Sequence, residues 1–209
     1  MNHKPIRLLL CDFDGTLVDT RMANALAYIE TLREVGIEIS VEEYLATYFG
    51  MRCNEFMCRM GITDPAERER LRLRKIALYP NYFDTLRLNE PLWAFAQSVR
   101  RQGGKVWIVS TGSRANIDNV MRHLGLEDSI DGMLSGLEIE RPKPAPDCFL
   151  EVMRREGCTE EECLIFEDSP VGLAAAEASG IPYFKVDFAA LSKYLLSGTE
   201  LFTLTANTI

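Results

Sequence analysis

The chain has 209 residues, 47% hydrophobic and 26% charged, with 14 Gly and 9 Pro; this is enough for one sizeable core with, at most, a small additional insert. Its 23 Lys and Arg against 31 Asp and Glu give a formal net charge of −8, so neither nucleic acid nor an anionic membrane is an expected partner. No segment approaches the roughly eighteen apolar residues of a membrane span, and a secretory signal is not expected at the start of the chain. The cysteines Cys11, Cys53, Cys58, Cys148, Cys158 and Cys163 form no C-x-x-C pair. They read as buried thiols of a reducing, cytoplasmic compartment.

Residues 6–11 (I-R-L-L-L-C) read as a first strand. After it the strand pattern stops. From about residue 20 to 84 only helical patterns occur: 21–35 closing at Gly36, 41–49 closing at Gly50, and a helix opened by Asp64, with Pro65 at its first position and Glu67 three after the cap. This stretch is expected to be a small helical domain inserted between two strands, with hinges near 18–20 and 83–86, so that 1–18 and 86–209 form the core and 19–85 the insert. The pattern then alternates between strand and helix. Strands are expected at 105–110 (K-V-W-I-V-S), 163–166 (C-L-I-F) and, more weakly, at 133–134 and 183–186; helices at 92–101, 114–124, 147–156 and 171–179, each followed by glycine. The order implies an α/β fold, a Rossmann-like doubly wound parallel sheet covered on both faces.

Polar residues gather just past the strand ends, where open parallel sheets bind ligands. Asp12-Phe13-Asp14-Gly15-Thr16 follows the first strand and Ser110-Thr111-Gly112 the second; Arg141-Pro142-Lys143-Pro144 and Glu167-Asp168-Ser169 come later. Asp12, Asp14, Glu167 and Asp168 at one sheet edge would repel one another and hold their protons unless a cation neutralised them. Mg²⁺, a hard ion that takes oxygen ligands, is the natural choice.

These fragments carry a resemblance. C-D-F-D-G-T-L-V-D-T, the threonine after the second strand, K-P-A-P-D and E-D-S-P-V-G-L-A-A-A, in that order over residues 8–186, resemble the haloacid-dehalogenase superfamily of aspartate-nucleophile phosphotransferases, in the branch with a helical cap after the first motif. The resemblance implies that Asp12 attacks phosphorus and forms an aspartyl-phosphate. It implies that Asp12, the main-chain carbonyl of Asp14 and Asp168 hold Mg²⁺, with Glu167 a water-mediated or outer ligand. Asp14 would protonate the leaving alkoxide and later deprotonate water, a residue type that points to a phosphatase or phosphomutase. Thr111 and the Gly112 amide would donate to the phosphoryl oxygens, Lys143 would neutralise their charge, and Ser110 replaces Thr111 if the strand end is off by one.

The insert is expected to act as a lid that excludes water and selects the substrate, a small phosphorylated metabolite. Arg52, Lys75 and Asn24 are its candidate substrate residues, while Tyr44, Tyr48, Phe49 and Phe56 read as its core. Arg70, Arg72 and Arg74 fit a helix C-terminal half, where cations are favoured. The two histidines, His3 and His123, are too isolated for a zinc site. A sugar-phosphate mutase similar to β-phosphoglucomutase is the alternative. Such mutases carry a cap histidine where this chain has Asn24, and Arg52 lies one residue out of register with their cap arginine. A non-catalytic binding protein on the same scaffold is a further alternative. With no exposed apolar stripe in the pattern, a monomer is expected.

Overall fold

The computed structural model describes residues 5–136 and 138–188; His3 lies outside them. At its centre is β1 (Leu8–Cys11), with every side chain buried. Leu9 and Cys11 enter the core on one face and Leu8 and Leu10 the core on the other, the period-two alternation of a strand covered on both sides. Beside it lie β4 (Lys105–Ser110), β5 (Gly132–Ser135), β6 (Cys163–Glu167) and β7 (Tyr183–Lys185), all parallel, in the order β5-β4-β1-β6-β7. From β1 the chain builds outward through β4 and β5, then crosses back to β6 on the opposite side. The carboxyl end of β1 is therefore a topological switch point, where a crevice opens.

Helices α5 (Glu90–Arg101) and α6 (Arg114–His123) cover the Leu9 face through Leu92, Ala96, Ile117 and Val120. The Leu8 face is covered by α7 (Asp147–Glu156) and α8 (Pro170–Ser179) through Phe149, Val152, Ala175 and Ala176. Asn89, Ser113 and Ser169 cap α5, α6 and α8 by accepting backbone N–H bonds from Leu92, Asn116 and Gly172. Where α7 and α8 stop, Gly157 and Gly180 take left-handed φ of 61° and 73°, which a residue with a Cβ resists.

Between β1 and α5 the chain forms β2 (Val18–Asp19), α1 (Arg21–Arg33), α2 (Val41–Glu43), α3 (Cys53–Arg59), α4 (Pro65–Leu78), a 3₁₀ segment (Tyr79–Thr85) and β3 (Arg87–Leu88). No strand lies between β2 and β3. The expected helix 41–49 is shorter: α2 widens into a π-turn over Tyr44–Tyr48, and Phe49 leaves it with an extended ψ of 135°. Asp64 caps α4 through Ala66 and Glu67, but the Glu67 carboxylate pairs with Arg70 instead of completing a reciprocal box. A third core (Ala25, Tyr28, Leu32, Tyr44, Phe56, Leu71) is drawn from this segment alone. Tyr28, Tyr44 and Tyr48 surround Phe56 at centroid distances of 4.8, 5.5 and 5.2 Å. Where the segment begins and ends, β2 and β3 pair antiparallel, Val18 with Leu88 and Asp19 with Arg87. Two-residue strands carry no periodicity, so this ribbon has no sequence signature.

Candidate active site

The end of β1 delivers Asp12. Its N–H continues the ladder by donating to the Phe166 carbonyl of β6 at 2.9 Å, and the chain then turns tightly, with the N–H groups of Thr16, Leu17 and Val18 all donating to the Phe13 carbonyl. Gly15 closes the turn at φ +92°, and a Cβ there would lie 2.3 Å from Oδ2 of Asp168. Glycine is needed twice over, for backbone conformation and for the carboxylate lying against it.

Lys143 unites the buried groups. Its ammonium donates to Oδ1 of Asp12 at 2.8 Å, to the Val109 carbonyl at 2.8 Å and to Oε1 of Glu167 at 2.6 Å, and all three side chains of this trio are buried. All three ammonium donors are thereby used. Burial alone would lower the Lys143 pKa, but the charges of Asp12 and Glu167 outweigh it and raise the value. Burial drives the Asp12 pKa well above the carboxylate range, with Lys143 opposing and the charges of Glu167 and Asp168 adding to the rise. Asp168, whose Oδ1 accepts from the Thr16 hydroxyl at 2.9 Å, is pushed up to about 6 by burial and then by Glu167.

Asp12, Glu167 and Asp168 each offer a carboxylate oxygen within 4.8 Å of the others. Three acidic oxygens so close, with protons favoured on Asp12 and Asp168 in the absence of a cation, fit a hard divalent ion. The three differ in freedom. Glu167 is fully buried, with Oε1 on Lys143 and Oε2 accepting from the N–H and hydroxyl of Ser169, which suits an outer role; Oδ2 of Asp12 accepts no hydrogen bond among the described residues. The Asp14 carboxylate lies outside this cluster. It turns toward α1, where the hydroxyl of Thr20 and the amide of Asn24 both donate to Oδ1. The sequence expectation of four carboxylates converging therefore holds for three.

Ser110 and Thr111 end and follow β4. Ser110 is buried and its hydroxyl accepts the Gly112 N–H at 3.1 Å, so the Gly112 amide expected for phosphate is already engaged inside its own loop. Thr111 is half-buried. The loop faces Asp14, since a Cβ on Gly112 would lie 3.1 Å from Oδ2 of Asp14.

Residues 9–186 match the family model of the haloacid dehalogenase-like hydrolases. The chain belongs to that family. It is 28% identical over 176 residues to the fructose-1-phosphate phosphatase of Escherichia coli (strain K12), covering 83% of this chain and 92% of that one. It is 25% identical over 186 residues to the 6-phosphogluconate phosphatase of the same organism, covering 86% of this chain and 81% of that one. Among solved structures, CbbY of Rhodobacter sphaeroides in complex with xylulose 1,5-bisphosphate superposes with a TM-score of 0.76 at 22% identity, over 86% of this chain and 85% of that one. This haloacid dehalogenase-like hydrolase is thus a phosphatase on the shared α/β fold.

In the helical segment of the hydrolase, Asn24 reaches the first motif at Asp14. Besides Asp14 it donates to the Thr20 hydroxyl and to the Tyr79 hydroxyl, and its own Oδ1 accepts from Lys75 at 2.6 Å. Lys75 is 4% exposed, with its ammonium 3.8 Å from the Tyr79 ring centroid and 5.0 Å from that of Tyr28; burial lowers its pKa to about 8. Arg52 is exposed at the N-terminus of α3 and has no ion pair among the described residues. Arg70, Arg72 and Arg74 pair with Glu67, Glu69 and Glu34, so glutamate partners occupy them. His123 packs its ring on Phe83 at 5.1 Å.

Sequence reading gives no role to five contributors: Thr16, Thr20, Ser169 and Gly172, which stand inside the motifs, and Tyr79, which it does not single out. Gly172 had a signal. A glycine inside a helix costs about 1 kcal/mol against alanine, and here a Cβ would fall 1.7 Å from Oε1 of Glu167. Thr16 and Thr20 stand inside the first motif, but nothing in their spacing says which carboxylate each would hold.

Proposed function

We propose that this hydrolase is a Mg²⁺-dependent phosphomonoesterase that cleaves a small phosphorylated metabolite, a sugar phosphate by preference, through a phosphoryl group carried on Asp12. The observation that carries the reading is the buried Lys143 amine bonded to Asp12 and Glu167 while Asp168 stands within the same acidic cluster. The curated relatives that act on fructose 1-phosphate and 6-phosphogluconate support the substrate class.

Asp12, the Asp14 carbonyl and Asp168 would hold Mg²⁺, with Glu167 behind them; when bound, the ion supplies positive charge against the phosphoryl oxygens. Lys143 supplies the second positive charge, opposes the protonation of Asp12 that burial favours, and aims the carboxylate through its hydrogen bond to Oδ1. Asp12 attacks phosphorus, and the alcohol departs with a proton from Asp14. Asp14 then takes a proton from the water that releases phosphate and regenerates Asp12. Thr20 and Asn24 hold Oδ1 of Asp14, which leaves Oδ2 toward the Thr111–Gly112 loop, proposed to receive the phosphoryl oxygens.

The helical segment 19–85 is proposed as the cap, joined to the core through the β2–β3 ribbon. Because Thr20, Asn24 and Tyr79 flank Asp14 from this segment, cap position and acid position are tied. Lys75 acts by orienting Asn24, and Arg52 is the cap cation proposed to meet a second anionic group of the substrate. A mutase reading loses support at Asn24, whose carboxamide carries no titratable proton. A binding protein without activity loses support because the acidic cluster and its lysine are complete.

The test is a turnover screen of phosphorylated sugars, sugar acids and nucleotides with and without Mg²⁺. Phosphate release from a sugar phosphate, with no need for a bisphosphate sugar activator, supports the reading. Isomerised product that appears only with that activator identifies a mutase.

A further inference from the structure

A tyrosine that is buried usually finds a hydrogen-bond partner for its hydroxyl. Among the described residues three tyrosines are buried: Tyr28, Tyr44 and Tyr79. The Tyr79 hydroxyl accepts from the Asn24 amide at 3.3 Å, and the Tyr28 hydroxyl is hydrogen-bonded to the Cys53 thiol. The Tyr44 hydroxyl has no such partner among the described residues, although the residue is only 4% exposed. Nor is its oxygen one of the polar atoms sealed away unpartnered, so the little exposure that Tyr44 keeps includes the hydroxyl.

Its surroundings lead to the first motif. The Tyr44 ring lies 5.5 Å from that of Tyr28, and the Lys75 ammonium lies 5.0 Å from the Tyr28 ring. Lys75 in turn holds Asn24 at 2.6 Å, and Asn24 holds Asp14 at 3.4 Å. Tyr28, Tyr44 and Lys75 all feel the charges of Asp14 and Cys53, which sets their polar ends on the Asp14 side of the helical segment. Burial first, and then Asp14, raises the Tyr44 phenol above its usual pKa, so it stays a neutral donor. The backbone is also unusual here. The turn over Tyr44–Tyr48 is a π-turn, closed by the Phe49 N–H donating to the Tyr44 carbonyl at 3.0 Å. Such wide turns are rare and concentrate at functional sites, and this one opens at the tyrosine whose hydroxyl is left over.

We propose that Tyr44 is a specificity-determining residue, its hydroxyl donating to a hydroxyl of the substrate's alcohol half and so favouring polyhydroxylated phosphate esters. The inference rests on the phosphatase reading above. There the core receives the phosphoryl group and Asp14 serves the bridging oxygen, so the alcohol half extends toward the segment that carries Tyr44. The ring of Tyr44 belongs to the core of that segment; its oxygen is the part left for substrate.

Tyr44→Phe removes that oxygen and keeps the ring. Its kcat/KM is compared with that of the unmodified protein on two kinds of ester. One is whichever of fructose 1-phosphate, 6-phosphogluconate and glycerol 1-phosphate turns over fastest; the other is nitrophenyl phosphate, which has no alcohol hydroxyl. A loss of at least about fivefold is expected on the first and less than about twofold on the second, with Tm no lower than that of the unmodified protein, because no partner inside the protein is lost. Equal losses on both esters, or no loss on either, overturn the proposal. A lowered Tm also overturns it, since the hydroxyl would then have a structural partner. Hydrolysis of nitrophenyl phosphate but of none of the three polyhydroxylated esters overturns it while the phosphatase reading stands. Hydrolysis of neither kind removes that reading and the proposal with it.

Discussion

The ammonium of Lys143 donates to Oδ1 of Asp12 at 2.8 Å, and both side chains are almost wholly withdrawn from solvent. A buried ion pair of this kind costs more to break than it contributes, because removing one partner strands the other's charge. Lys143→Met leaves Asp12 and Glu167 facing each other without a cation. In urea denaturation of the metal-free protein it is expected to cost ~3–5 kcal/mol, and its phosphatase kcat is expected to fall about 10²–10³-fold. A loss of under 1 kcal/mol would show that the pair is not held as described.

The acidic cluster sets a pH signature. In the folded chain Asp168 titrates near 6, above the ~3.9 of an unfolded aspartate. Between those values the folded state binds more protons than the unfolded one, so metal-free stability falls as pH rises through 6, by ~3 kcal/mol for this group. Asp168→Asn should flatten that slope in melts between pH 4.5 and 7.5. Mg²⁺ competes with the same protons, so its stabilising shift in Tm should be large at pH 7.5 and small at pH 5.

Lys75 has the opposite sign. Its pKa of about 8 lies below the ~10.4 of an exposed lysine. Its contribution therefore rises as pH climbs from 8 toward 10.4, because only the unfolded chain still holds the proton. Relative to the unmodified protein, Lys75→Met should gain ~3 kcal/mol on going from pH 10 to pH 7. Its activity should drop at both pH values, because Asn24 loses the Lys75 donor to its Oδ1. Urea midpoints at the two pH values check the first part and steady-state rates the second.

Gly172→Ala tests the wall behind Glu167. The added methyl would sit 1.7 Å from Oε1, so the carboxylate must shift off Lys143 at a cost of ~1–3 kcal/mol. Gly36→Ala is the control: φ is +74° with open space around it, which predicts backbone strain of ~1–2 kcal/mol. Only the first substitution should raise the Mg²⁺ concentration needed for half-maximal activity.

Strands β1, β4 and β6 announce themselves by apolar runs, and the helices of the core by their caps and terminal glycines; β2 and β3 are too short for any pattern. The convergence of Asp12, Lys143, Glu167 and Asp168 follows from strand order, since each stands past a strand that adjoins the switch point or on the loop that returns to it. Side-chain direction does not follow. Asp14 reads as a fourth member of the cluster and instead turns to Thr20 and Asn24. Lys75 reads as a cap cation for substrate and instead lies enclosed between two tyrosine rings. Both outcomes depend on how α1 and α4 pack against the first motif, a tertiary relationship that no local spacing encodes.

The most direct measurement is steady-state hydrolysis of an aryl phosphate by Asp12→Asn beside the unmodified protein, each with Mg²⁺ and with a chelator, after circular dichroism has shown both folded. The account predicts at least a ~10³-fold loss in the variant, and a loss in the unmodified protein under chelation that added Mg²⁺ reverses. Turnover that persists in folded Asp12→Asn would contradict it.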